Sequence, residues 1–69
     1  MNWDVIKGNW SKMTGEIKSQ WGDLTDDEIQ QAAGERERFV GLIQERYGMA
    51  KSDAETQVDK FFANLKDAA

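Results

Sequence analysis

Sixty-nine residues with a formal charge of −4 and no cysteine, histidine or proline amount to one small domain over residues 1–69, near the size at which a single hydrophobic core is only just sufficient. Disulfide staples and the commonest zinc and copper ligands are thereby excluded, which suits a reducing compartment. The acidic balance argues against a general nucleic-acid binder, whose affinity comes largely from cations neutralising phosphates, although it leaves room for a local basic patch.

The opening stretch MNWDVIKGNW lacks the charged start and unbroken apolar run of a signal peptide. No stretch approaches the roughly 20 apolar residues of a membrane span. A cytoplasmic, soluble chain with no membrane attachment is expected. Trp3, Ile6, Trp10, Met13, Ile17 and Trp21 recur at spacings of three and four, with Lys7, Lys12, Glu16 and Lys18 off that stripe. This periodicity predicts one amphipathic helix that starts after an N-cap at Asn2, has Asp4 near the positive end of its dipole, and stops at Gly22 in a left-handed conformation.

The acid-rich turn that follows, QWGDLTDDEIQ at residues 20–30, reads as the start of a second helix. Thr25 and Glu28 have the spacing of a capping box, and Asp26 and Asp27 fall in the first turn. Ile29, Ala32 and Ala33, then Phe39, Val40, Ile43 and Tyr47, continue the helical pattern. Gly34 divides it into a short and a longer helix, although one bent helix fits the periodicity as well. After Gly48, Ser52 with Glu55 repeats the capping-box spacing and opens a last helix whose Ala54, Val58, Phe61, Phe62 and Leu65 face the core. The absence of strand-like alternation makes the expected fold all-α, a small bundle of about four helices.

The glycines reveal an internal repeat. Gly8, Gly15 and Gly22 are spaced by seven residues, as are Gly34, Gly41 and Gly48, and the two sets are offset by 26. At that offset Met13 matches Phe39, Ile17 matches Ile43 and Trp21 matches Tyr47. Gly8, Gly15 and Gly41 lie inside helical patterns, where each costs about 1 kcal/mol relative to Ala. Gly8 and Gly15 fall opposite the apolar stripe. They either admit a partner surface, accommodate the chain's own last helix, or are merely tolerated.

Asp23, Asp26, Asp27 and Glu28 are the strongest candidates for a metal site, but the alternating acids and central glycine of a calcium loop are missing. As a general acid and base the same carboxylates would need a cleft that shifts their pKa values, and consecutive acids at a helix start give no sign of one. There is no GxSxG, no phosphate loop and no Cys or His nucleophile. No catalytic, cofactor-binding or metal-ligating residue is therefore assigned, and no cofactor is expected. Trp3, Trp10 and Trp21 read as core rather than as anchors for a partner, and the ERER run at residues 35–38 as a solvated helix start.

GNWSKMTGEIKSQWGDLTDDEI, followed by GERERFVGLIQERYG, resembles the CsbD-like family of small bacterial proteins over residues 8 to about 55. Family members share G-N-W-K, K-G-x-x-K, W-G-x-L-T-D-D and G-K-I-Q-E-R-Y-G. Here Thr14 stands in place of the lysine before Gly15, Ile17 stands near the usual K-x-K-E run, and Leu42 replaces the lysine of G-K-I-Q, so the basic residues are thinned. The resemblance implies two helical hairpins packed crosswise, as in SAM-like domains, and a role in the general stress response with no defined molecular activity. The resulting expectation is a non-enzymatic, monomeric stress-response protein that acts by binding or by accumulating. A helical protein–protein interaction module with an unidentified protein partner, and a weak nucleic-acid binder using Lys7, Lys12 and Lys18, are the alternatives.

Overall fold

The computed structural model describes the backbone of residues 3–68 and the side chains of residues 3–64. The expected cap at Asn2 and the core position at Leu65 lie outside those described residues. Among them the chain forms five helices and no strand: α1 (Trp3–Gly8), α2 (Trp10–Gln20), α3 (Asp26–Ala32), α4 (Arg36–Tyr47) and α5 (Lys51–Ala68).

The expected first helix is two helices. Gly8 and Asn9 are both poor helix formers, and the chain turns at Asn9 with φ −110° and ψ 11°. The Asn9 backbone N–H donates to Val5 O at 3.2 Å and to Ile6 O at 3.1 Å, and its side chain adds to that closure. Its Nδ2 donates to Val5 O at 3.0 Å as α1 closes, while the backbone carbonyl of Asn9 accepts from Lys12 N and Met13 N to open α2. The apolar stripe survives this break: Ile6, Trp10, Ile17 and Trp21 are buried, and Trp3 is half-buried. Helix α2 ends at Gln20 with Trp21 as C-cap, so Gly22 does not adopt the expected left-handed conformation.

Thr25 opens α3 through the predicted capping box. Glu28 N–H donates to Thr25 Oγ1 at 3.2 Å, and Thr25 N–H donates to Glu28 Oε1 at 3.0 Å. Ala33 and Gly34 then take positive φ values of 55° and 76°, separating α3 from α4 and deciding for two helices over one bent helix. Only glycine fits at 34 for a second reason. A Cβ there would lie 2.6 Å from Lys7 Cα, because α1 lies against this turn.

The second predicted capping box does not form. Helix α5 begins at Lys51, where Ala54 N–H already donates to Ala50 O at 3.0 Å, so Ser52 falls within the first turn. Glu55 instead turns to α4, where Arg36 Nη1 reaches its Oε2 at 3.5 Å. Arg36 also forms a fork with Asp59, at 3.0 Å from Nε to Oδ1 and 3.0 Å from Nη2 to Oδ2. With its side chain 29% exposed, Arg36 is a clamp between α4 and α5 rather than part of a solvated helix start.

The core is one cluster fed by every helix, with Phe39 fully buried at its centre. Trp10 and Trp21 pack edge-on against Phe39 at centroid distances of 5.4 and 5.1 Å. Ala54, Val58 and Phe62 of α5 complete it, and Phe61 is partly buried beside Trp21. Leu24, in the turn after α2, is as deeply buried as the helical residues and continues the stripe three residues beyond Trp21, although it lies outside any helix.

Candidate functional site

The acid-rich turn brings its residues into different local roles. Glu28 serves the α3 cap and also pairs with Arg46 of α4. Asp26 pairs with Lys18 of α2 at 3.3 Å. Asp23 contributes its backbone, whose N–H donates to the Tyr47 hydroxyl at 3.2 Å. Among the described residues no group of three or more carboxylates is placed to hold a metal ion. The Thr25 backbone N–H, followed by the Arg46 guanidinium, holds the Glu28 carboxyl below the ordinary glutamate range. The same pair raises the Arg46 pKa, and the fork to Asp59 raises that of Arg36, so both guanidiniums stay charged.

The lysines of the first two helices do not form a free basic strip. Lys7 pairs with Glu35 at 3.8 Å and Lys18 with Asp26 at 3.3 Å, leaving Lys12 as the exposed cation of the three without an ion pair among the described residues. Gly8, Gly15 and Gly41 are exposed, and a Cβ added to any of them would meet nothing within 4 Å. The last helix therefore does not rest on them, and Gly8 lies at the end of α1 rather than within a long helix.

A shallow groove runs between α3 and α4. Ala32 of α3 and Gly41 and Leu42 of α4 line it, with Glu28, Arg38 and Glu45 around them. It is acidic toward the C-terminal end of α4, where Glu45 lies and where Arg46 meets Glu28, and basic toward the N-terminal end, at Arg38. Arg38 makes one surface pair, with Glu35 at 3.2 Å. Neither the groove nor the Arg36 clamp was anticipated, because both depend on side chains that only the packing of separate helices brings together.

All these features belong to a chain whose sequence places it in a known family. Residues 4–56 match the CsbD-like family, and the chain belongs to it. It is 57% identical over 65 residues to a UPF0337 protein of Pseudomonas aeruginosa, covering 94% of this chain and all of the relative. A UPF0337 protein of Bordetella pertussis is 50% identical over 62 residues, covering 90% of this chain and 94% of the relative. The UPF0337 protein YjbJ of Escherichia coli is 50% identical over 58 residues, covering 84% of each. No solved structure matches the chain. No helix among the described residues is long and apolar enough to cross a membrane.

Proposed function

We propose that this chain is a non-catalytic protein of the bacterial general stress response, a single cytoplasmic domain that acts by binding or by accumulating. One observation carries the non-catalytic reading: two side chains of the acid-rich turn, the place in the sequence best stocked for chemistry, are taken up in structural contacts. Glu28 is held in a cap and an ion pair, and Asp26 in a bridge to α2. A general acid or base needs a carboxyl poised near the working pH, whereas Glu28 is pushed the other way. Membership of the CsbD-like family supports the stress context. In this reading the hairpins α2–α3 and α4–α5 cross one another in a SAM-like arrangement.

A nucleic-acid role is the weaker alternative, since Lys7 and Lys18 already face acids. The deciding experiment is to quantify the protein in the source bacterium during growth and under osmotic, oxidative and starvation stress, and to compare survival of a deletion strain with its complemented derivative. A several-fold rise together with a rescued survival defect is expected. A constant level with unaltered survival overturns the stress reading, and strongly salt-dependent retention of DNA or RNA by the purified protein replaces it with the nucleic-acid one.

A further inference from the structure

We infer that the α3–α4 groove is a self-association surface, on which a second copy of this chain docks through a two-fold axis that sets α4 antiparallel to its mate. The ground is the order of charge along the groove. Arg38 lies three residues before Gly41, and Glu45 three residues after Leu42, so the pattern is symmetric about the Gly41–Leu42 peptide with the sign of charge reversed. Seven residues bring a helix back to within about 20° of the same direction, so Arg38 and Glu45 lie on one line along α4. They are separated by about 10.5 Å. A two-fold axis through the midpoint places each Arg38 opposite the Glu45 of the other copy, twice over.

The centre of the same face suits close approach. Gly41 and Leu42 flank the Arg38–Glu45 line on opposite sides, and Leu42 lies on the side of α3, where Ala32 shares the groove with it. In the antiparallel pair, glycine meets glycine on one side and leucine meets leucine on the other. Gly41 presents no side chain, and a Cβ there would meet nothing within its own chain, so the two backbones can come together at that point. Glu28, near the Glu45 end, is already engaged by Arg46, so Glu45 carries the attraction for the incoming Arg38. The Arg38–Glu35 pair that exchange would loosen is exposed on both sides and contributes little.

The surface available sets the strength. Helix α4 is about 18 Å long, and two helix widths beside it give a face smaller than the roughly 600 Å² per copy at the lower end of stable interfaces. The dimer is therefore weak, and the sequence-based expectation of a monomer applies to dilute solution. Self-association is independent of the stress reading, and accumulation in the cell would favour it by mass action.

Sedimentation velocity of the purified full chain from micromolar to millimolar concentration, with circular dichroism to confirm the fold of each variant, tests this. The weight-average mass is expected to rise toward that of two chains. Arg38→Glu and Glu45→Arg should each weaken association by about tenfold or more, through like charges placed opposite one another. The double variant Arg38→Glu/Glu45→Arg should restore it, because the swapped pattern is again self-complementary. Amide shifts on dilution should be confined to residues of α3 and α4. A chain that stays monomeric at millimolar concentration overturns the proposal, as does association that survives either single swap or that the double variant fails to restore.

Discussion

Trp10 shows how one side chain serves both packing and polarity. Its ring is 4% exposed against Phe39 and Phe62, and its Nε1 donates to Ile29 O at 2.7 Å. That carbonyl is among the last four of α3, which have no partner inside the helix; the neighbouring Gln30 and Ala32 carbonyls are closed by Ala33 N and Glu35 N. An indole from α2 thus caps the end of α3. Trp10→Ala should destabilise the protein by about 3–5 kcal/mol, and Trp10→Phe, which keeps a ring but orphans the carbonyl, by about 1–3 kcal/mol. Urea unfolding followed by far-UV circular dichroism measures both, and a Phe variant of wild-type stability would show that the hydrogen bond contributes nothing. The turn that follows gives a reciprocal pair. Ala33 holds φ 55° with a Cβ, so Ala33→Gly should stabilise by about 1 kcal/mol. Gly34→Ala meets both a positive φ and Lys7 Cα at 2.6 Å, so its cost should exceed that gain. Equal melting temperatures for the two variants would contradict this account of the turn.

Two identical signals separate at the level of the helix. Thr25–Glu28 and Ser52–Glu55 have the same spacing, yet only the first forms a capping box. The first follows a turn in which Thr25 is extended, at φ −87° and ψ 159°, whereas α5 has already begun at Lys51 and Glu55 is taken up by Arg36. Thr25→Ala should therefore cost about 0.5–2 kcal/mol, and Ser52→Ala should stay within about 0.5 kcal/mol of wild type. Equal losses in thermal denaturation would restore Ser52 as a cap. The Thr25 cap also has a pH signature. The Glu28 pKa is depressed by the Thr25 N–H and Arg46, so its contribution is fully present above the unfolded value of about 4.3 and is lost as pH falls through the lower folded value. Glu28→Gln retains a side chain able to accept the Thr25 N–H but carries no charge. Its stability, measured by urea unfolding from neutral pH to about pH 3, should fall less steeply on the acid side. An acid limb parallel to that of wild type would remove Glu28 from the acid response.

Over the whole molecule, what was legible in the sequence is what depends on near neighbours. The stripe Ile6, Trp10, Ile17 and Trp21, the Thr25 cap and the Gly34 boundary all express spacings of three or four residues or a local backbone demand. The 26-residue offset also has a counterpart, since α2 and α4 occupy matching positions and Ile17 and Ile43 are both fully buried. The break at Asn9 was hidden because Trp3, Ile6 and Trp10 keep helical spacing across it. The Arg36 clamp and the charge order of the α3–α4 groove required knowing which helices meet. The same long-range contacts predict how the protein melts. Trp10 and Trp21 belong to the first half of the chain, but the rings they pack on, Phe39, Phe61 and Phe62, belong to α4 and α5. Separating the halves would expose all five rings, so neither half can retain its core alone. Tryptophan fluorescence, which reports the environment of Trp3, Trp10 and Trp21 in the first half of the chain, and far-UV circular dichroism, which reports all the helices, should give superimposable thermal transitions. If α4 and α5 instead folded as an independent hairpin, helicity would persist above the fluorescence midpoint, and the aromatic contacts across the halves would have to be energetically minor.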